Sequence, residues 1–174
     1  MQAVNSINLI RFYRQIAVLI VMFMFYHEAS CQEMPPRPIS VYINPAQGLS
    51  FGAFIHGASG GSVIIYPSGS RSTTGSVVPM NMGYSYSAAI FEIDANPGTL
   101  VSLAYGSFST LTGSNGGTMT LQAEGSYPQS PIVTNAVPPA RTLVYIGGIL
   151  TVGNALANPP GSYSGSFTVN FIQE

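Results

Sequence analysis

Between Gly161 and Phe171 the chain alternates with period two: Tyr163, Phe167, Val169 and Phe171 share one phase with Gly165, and Ser162, Ser164, Ser166, Thr168 and Asn170 fill the other. A strand turns successive side chains to opposite faces, so this pattern describes a half-buried antiparallel strand, apolar inward and hydroxyl outward. Tyr163, Phe167, Val169 and Phe171 are the expected core anchors of that last strand. Shorter runs of the same kind precede it. Ile39, Val41 and Ile43 alternate with Ser40, Tyr42 and Asn44, and Leu49 to Gly52 continues past a turn at 45–48. Ser62–Tyr66 reads as a largely buried strand closed by the turn Pro67-Ser68-Gly69-Ser70, with Arg71–Val78 as its hairpin partner.

Residues 84–94 make the next strand, changing phase between Ile90 and Phe91, which predicts a bulge. Asn96-Pro97-Gly98 places Pro and Gly where a type II turn needs them, and Leu100–Tyr105 returns. Thr118–Ala123 follows a Gly-rich turn at 113–117. Residues 125–140 hold four prolines and no clear period, which reads as a loop. Thr142–Val152 is a long apolar strand with a break or bulge at Gly147-Gly148. About eight short strands, with turn residues between them and no helical period, predict an all-β antiparallel sandwich as one domain over residues 39–174.

The N-terminus is of another kind. Ile16–Tyr26 is an unbroken apolar run of eleven residues preceded by Arg11 and Arg14. A membrane span needs about 20 apolar residues, so this run is too short, and it reads instead as the core of a signal peptide over residues 1–31. Ala29-Ser30-Cys31 supplies small residues for cleavage, leaving Gln32 as the new N-terminus. Cys31 has a second reading as a lipidated N-terminal cysteine, for which Ala29 and Ser30 are suited and Glu28 is not. Membrane contact is expected only through these two routes. Residues 32–38 form a Pro-rich leader, extended in character.

Charge narrows the function classes. Beyond residue 31 the charged groups are Arg37, Arg71, Arg141, Glu33, Glu92, Asp94, Glu124 and Glu174, with no lysine in the chain. Such a surface cannot neutralise a run of phosphates, and nucleic-acid binding is not expected. Cys31 is the one cysteine, so an exported domain beginning at Gln32 must hold together without disulfides.

Candidate chemical motifs each have a plainer alternative. Gly57-Ala58-Ser59-Gly60-Gly61, beside His56, matches a nucleophile elbow, but a strand follows where the elbow needs a helix. Glu92 and Asp94 point the same way from one strand, as a hydrolytic carboxylate pair would, yet such neighbours are usually solvated. Asp94 and Asn96 offer too few oxygens for a calcium site, and the single histidine beyond residue 31 is too little for zinc. The 113–117 loop lacks the Gly-Lys of a phosphate loop. No cofactor and no enzymatic activity are expected. The scarcity of charge says more: sheet edges are ordinarily guarded by charge, Lys above all. Edges left unguarded are either covered or meant to be paired by strand addition.

Taken in order, Leu49-Ser50-Phe51-Gly52, Gly60-Gly61-Ser62-Val63, Pro67-Ser68-Gly69-Ser70-Arg71, Gly147-Gly148-Ile149-Leu150 and Pro160-Gly161-Ser162-Tyr163-Ser164-Gly165 resemble the secreted bacterial domain-of-unknown-function family 4402, over about residues 39–172. That family is similar to spore coat protein U and to chaperone–usher pilin subunits. The resemblance implies an immunoglobulin-like or pilin-like sandwich in secreted, periplasmic or cell-surface proteins, assembled by strand exchange. This chain departs from pilins in having no disulfide after residue 31 and no distinct donor strand, since the leader before Ile39 is seven residues long. Ile39, Val41 and Ile43 are the segment best suited to exchange. The expected function is therefore a non-enzymatic structural protein partnering itself or an envelope assembly. The alternative is a monomeric adhesin that recognises a glycan or protein through its loops.

Overall fold

The computed structural model describes residues 12–17 and 37–174. Residues 12–17 are helical and exposed, and no helix among the described residues is long and apolar enough to cross a membrane. Cys31 and Gln32, the expected cleavage point, lie outside the described residues, as does most of the leader. By its internal contacts the chain divides into Met1–Pro35 and Pro36–Glu174.

Everything described in the second unit is strand or connection. The strands are β1 (Ser40–Ile43), β2 (Ser50–Phe51), β3 (Phe54–Ile65), β4 (Arg71–Pro79), β5 (Tyr86–Ser87), β6 (Ala89–Asp94) and β7 (Leu100–Tyr105). They continue as β8 (Ser109–Gly113), β9 (Thr118–Tyr127), β10 (Ile132–Val133), β11 (Thr142–Val152), β12 (Tyr163–Ser164) and β13 (Val169–Gln173). One sheet of eight strands runs β1-β6-β11-β9-β8-β12, with β3 and β4 branching from β11; β10-β7-β13 forms a second sheet, and β2-β5 a small third. All the strand pairings are antiparallel.

β11 is the spine. Its first half pairs with β6, its second half with β3, and its other edge with β9 from Tyr145 to Thr151. The handover falls at Gly147-Gly148, where the register with β9 shifts. A Cβ on Gly147 would stand 2.3 Å from the Ile65 carbonyl oxygen, and one on Gly148 would stand 2.9 Å from that of Gln122, so the crowding at this junction admits only glycine.

Two apolar clusters fill the space. Val63, Ile65, Leu111, Met119, Leu121, Leu150 and Val152 gather where the large sheet curls on itself beneath Phe51 of β2. Phe91, Ile93, Val144 and Ile146 of the large sheet meet Val101 and Ile132 of the small one in the second cluster, which is the sandwich interior. Leu49 and Phe167 pack against both.

Three expectations need correction. Residues 84–94 are two strands in different sheets, β5 and β6, separated at Ala88. β6 pairs with β11 in continuous register through Ile90 and Phe91, so the bulge expected there is absent; the phase changes because the two halves belong to different sheets. The 125–140 segment is not all loop: β9 runs on to Tyr127, and Ile132–Val133 pairs with β7. Its backbone satisfies hydrogen bonds that the prolines do not forbid. The last strand is split. β12 pairs with β8 in the large sheet, β13 pairs with β7 in the small one, and the chain crosses between them over residues 165–168. Gly165 permits the crossing, since a Cβ there would lie 2.6 Å from the Thr110 carbonyl oxygen.

A candidate strand-pairing seam

The residues singled out in the first and last strands converge. β1 closes one end of the large sheet and β13 one end of the small sheet. They meet at a corner, where Ile39 N–H donates to Gln173 Oε1 at 3.1 Å and Gln173 Nε2 donates to the Arg37 carbonyl at 3.3 Å. Among the described residues no strand joins the two edges.

On the β13 side the predicted phase is reproduced residue by residue. Tyr163, Phe167, Val169 and Phe171 are half-buried and their neighbours from Gly161 to Ile172 are exposed. Tyr163 packs on the first cluster, Val169 and Phe171 on the second, and Phe167 on both. The Phe91 ring stands 6.4 Å from Phe167 and 5.4 Å from Phe171. None of the four is fully buried, so the last strand lies along the margin of the core and not through its middle. Gly106 N–H bonds the Thr168 carbonyl at 2.9 Å and Glu174 N–H bonds that of Leu100 at 3.0 Å. By the alternation of an antiparallel ladder, the backbones of Val169, Phe171 and Gln173 then face away from β7. That outward edge carries no lysine, proline or bulge.

On the β1 side, register sets the faces. Val41 lies opposite Ile93 and Ile43 opposite Phe91. Paired residues share a face, so Ile39, Val41 and Ile43 stand on the core side of the sheet. Only Ile39 is covered well enough to pack on the second cluster; Val41 is 37% and Ile43 71% exposed. The apolar phase overhangs the core. Asn44 N–H bonds the Ile90 carbonyl at 3.1 Å, which by the same alternation turns the backbones of Val41 and Ile43 outward.

Charge is concentrated here too. Arg37 pairs with Asp94, and Arg141 pairs with Glu92 at 2.8 Å. The Arg141 guanidinium lies 3.8 Å from the centre of the Tyr42 ring, and its pKa is raised chiefly by the hydrogen bond to Glu92. Glu92 and Asp94 are thus not a mutually facing acid pair: each is held by its own arginine, and together these contacts pin β1 to β6. Sequence reasoning missed the part of Arg141, which is 99 residues from Tyr42 along the chain, and no local pattern announces it.

The elbow-like segment also resolves. Residues 57–60 stand opposite Ser76 as a wide bulge within β3, because the register with β4 jumps between His56 and Gly61. It is therefore neither an elbow nor a turn feeding a strand. Gly60 has φ +63°, and Ser76 Oγ donates to its carbonyl at 2.9 Å. Ser59 is exposed, while His56 Nε2 is 3.1 Å from the Asn158 carbonyl oxygen and Nδ1 is buried without a partner. No cluster of three or more metal-ligating side chains occurs among the described residues.

Fold and site together define an antiparallel β-sandwich domain in which the β1 edge of the large sheet and the β13 edge of the small sheet lie open beside one another. The family description Domain of unknown function (DUF4402) matches residues 41–172, and the chain belongs to that family. No curated protein and no solved structure matches the chain.

Proposed function

We propose that this is an exported, non-enzymatic surface or extracellular structural protein that assembles with further copies of itself by strand pairing at the β1–β13 seam. The observation that carries this reading is the overhang of β1: Val41 and Ile43 face the core side and remain exposed beside an unpaired edge. Apolar side chains aligned along a free edge are what an added strand covers. Main-chain bonds then supply affinity, and alternate side chains supply register. The positively charged segment and apolar run before Ala29-Ser30-Cys31 support export. The engagement of Glu92, Asp94 and His56 in structural contacts supports a non-catalytic use of those groups. The likeness of the family to spore coat protein U and pilin subunits points the same way.

The test exploits exposure. Ile43→Lys adds charge at a side chain that is 71% exposed in the isolated domain, so folding is retained while edge pairing is blocked. Light scattering and electron microscopy of the wild type should show oligomers or fibres that this variant loses. A wild type that stays strictly monomeric at high concentration would sink the proposal.

A further inference from the structure

We infer that a tyrosine-lined cleft at the β3–β4 turn binds a neutral saccharide chain; this does not rest on assembly at the seam. The cleft has two lobes of about 490 and 620 Å³ that share the wall formed by Pro67, Ser68 and Tyr127. Both lobes are shallow and open to solvent, the shape of a surface groove and not of an enclosed pocket. Tyr86 and Tyr145 line the first lobe and Tyr66 the second, with Tyr127 common to both and 67% exposed.

Three features set the ligand class. The first is charge: no Asp, Glu, Lys, Arg or His lines either lobe. The nearby Arg71 is spent on the Phe51 and Ala53 carbonyls, at 3.0 and 3.2 Å, and on the Tyr86 ring, 4.4 Å from its centroid. An ionic ligand would find no counter-charge in the lining. The second is the pairing of aromatic faces with hydroxyls. A sugar ring presents an apolar C–H face and a rim of hydroxyls, and tyrosine offers the complement to both. Serine and tyrosine hydroxyls donate and accept, as sugar hydroxyls do, whereas a proline-rich backbone only accepts. Ser68, Ser70 and Ser126 also line the second lobe.

The third feature is rigidity. The turn is tied by Tyr66 N–H to the Ser70 carbonyl at 2.9 Å, Gly69 N–H to that of Tyr66 at 2.8 Å, and Ser68 Oγ to Ser70 Oγ at 2.9 Å. Ser72 Oγ holds the Tyr66 hydroxyl at 3.2 Å. The Pro67 ring is wedged against Gly125 and Gly147, where a Cβ would come within 3.3 and 3.0 Å of it. Walls fixed before the ligand arrives spare the ordering cost of binding. Two lobes in contact through one ring suit an extended chain of sugars over a single residue.

The chain has no tryptophan, and four of its 10 tyrosines line the cleft, so a ligand stacked there should perturb the tyrosine emission. The purified full-length protein is titrated with cellohexaose, maltohexaose and chitohexaose, and in parallel with a heparin hexasaccharide and decaproline, by fluorescence and calorimetry. At least one neutral hexasaccharide should bind and quench. Tyr127→Ala, at a side chain 67% exposed, should weaken it about tenfold, the loss expected for one stacked ring. Tyr86→Ala should weaken it as well, with circular dichroism unchanged in both variants. The inference is overturned if no neutral sugar binds, if binding survives both substitutions, or if decaproline or the heparin fragment binds in preference.

Discussion

Asn158 is 1% exposed and is the most heavily bonded side chain in the 153–158 connection. Its Nδ2 donates to the Thr118 carbonyl at 2.6 Å and to that of Ala157 at 3.0 Å, and its Oδ1 accepts from Gly153 N–H. One buried amide thus ties the chain after β11 to the start of β9. Buried polar groups that lose their partner cost about 1–3 kcal/mol each, so Asn158→Leu should destabilise the domain by about 2–4 kcal/mol despite its similar volume. Urea unfolding would measure this directly. Asn158→Asp keeps the acceptor for Gly153 but turns a carboxylate oxygen on the Thr118 carbonyl, and it should fare no better. At Asn154, whose Oδ1 accepts from Leu156 and Ala157 N–H in an exposed turn, substitution by Ala should cost under about 1 kcal/mol. Nothing in the sequence distinguishes these two asparagines, four positions apart, because burial and not residue type decides their weight.

At the scale of the strand, β1 is an element held by its backbone and two arginines. Tyr42 lies opposite Glu92, a hydrogen-bonded pair in this ladder, and Arg141 spans both. Arg141→Ala should leave global stability nearly unchanged, as expected for a solvent-exposed ion pair. Its effect should instead appear as local fraying. Amide exchange at Tyr42 should accelerate well beyond that at Val144, which is in the core of β11. If both accelerate alike, β1 is an integral part of the cooperative unit and not a detachable edge.

The strands themselves were largely legible. Leu100–Tyr105 and Thr142–Val152 have the bounds their patterns predict, and the Asn96–Thr99 turn carries Gly98 at φ +86°. Which sheet a strand joins was not legible. The alternation from Tyr163 to Phe171 continues unbroken while the ladder partner changes from β8 to β7, because crossing between two sheets around one core preserves the inward phase. The same holds at β1, where the pattern places Ile39, Val41 and Ile43 on one face correctly. How far the opposite sheet extends to cover them is a property of other strands. The seam was therefore half readable, and the tyrosine cleft not at all, since its four rings come from different strands and turns spread between Tyr66 and Tyr145.

Across the whole molecule, cohesion depends on how two clusters are joined. Phe167 and Leu49 touch both, and Phe167 sits on the crossing between β12 and β13, the point at which the chain leaves one sheet for the other. Truncation of a fully buried Phe costs about 3–5 kcal/mol; for the half-buried Phe167 about 2–3 kcal/mol is expected. The distribution of that loss is the more informative quantity. The large sheet keeps its own cluster around Val63, Leu121 and Leu150, closed by β3, β9 and β11. The small sheet has only three strands, two of them at its ends, and relies on packing against β6 and β11 for its cover. Removing the shared ring should thus loosen β7 and β13 more than β3 and β11. In Phe167→Ala, amide exchange should be fastest at Asn170 and Ile172, whose N–H groups bond β7, and should remain slow at Ile64 and Leu150. Uniform acceleration across both sheets would show instead that the clusters unfold as one, and that the seam lies beside a rigid edge that an incoming strand must take as it stands.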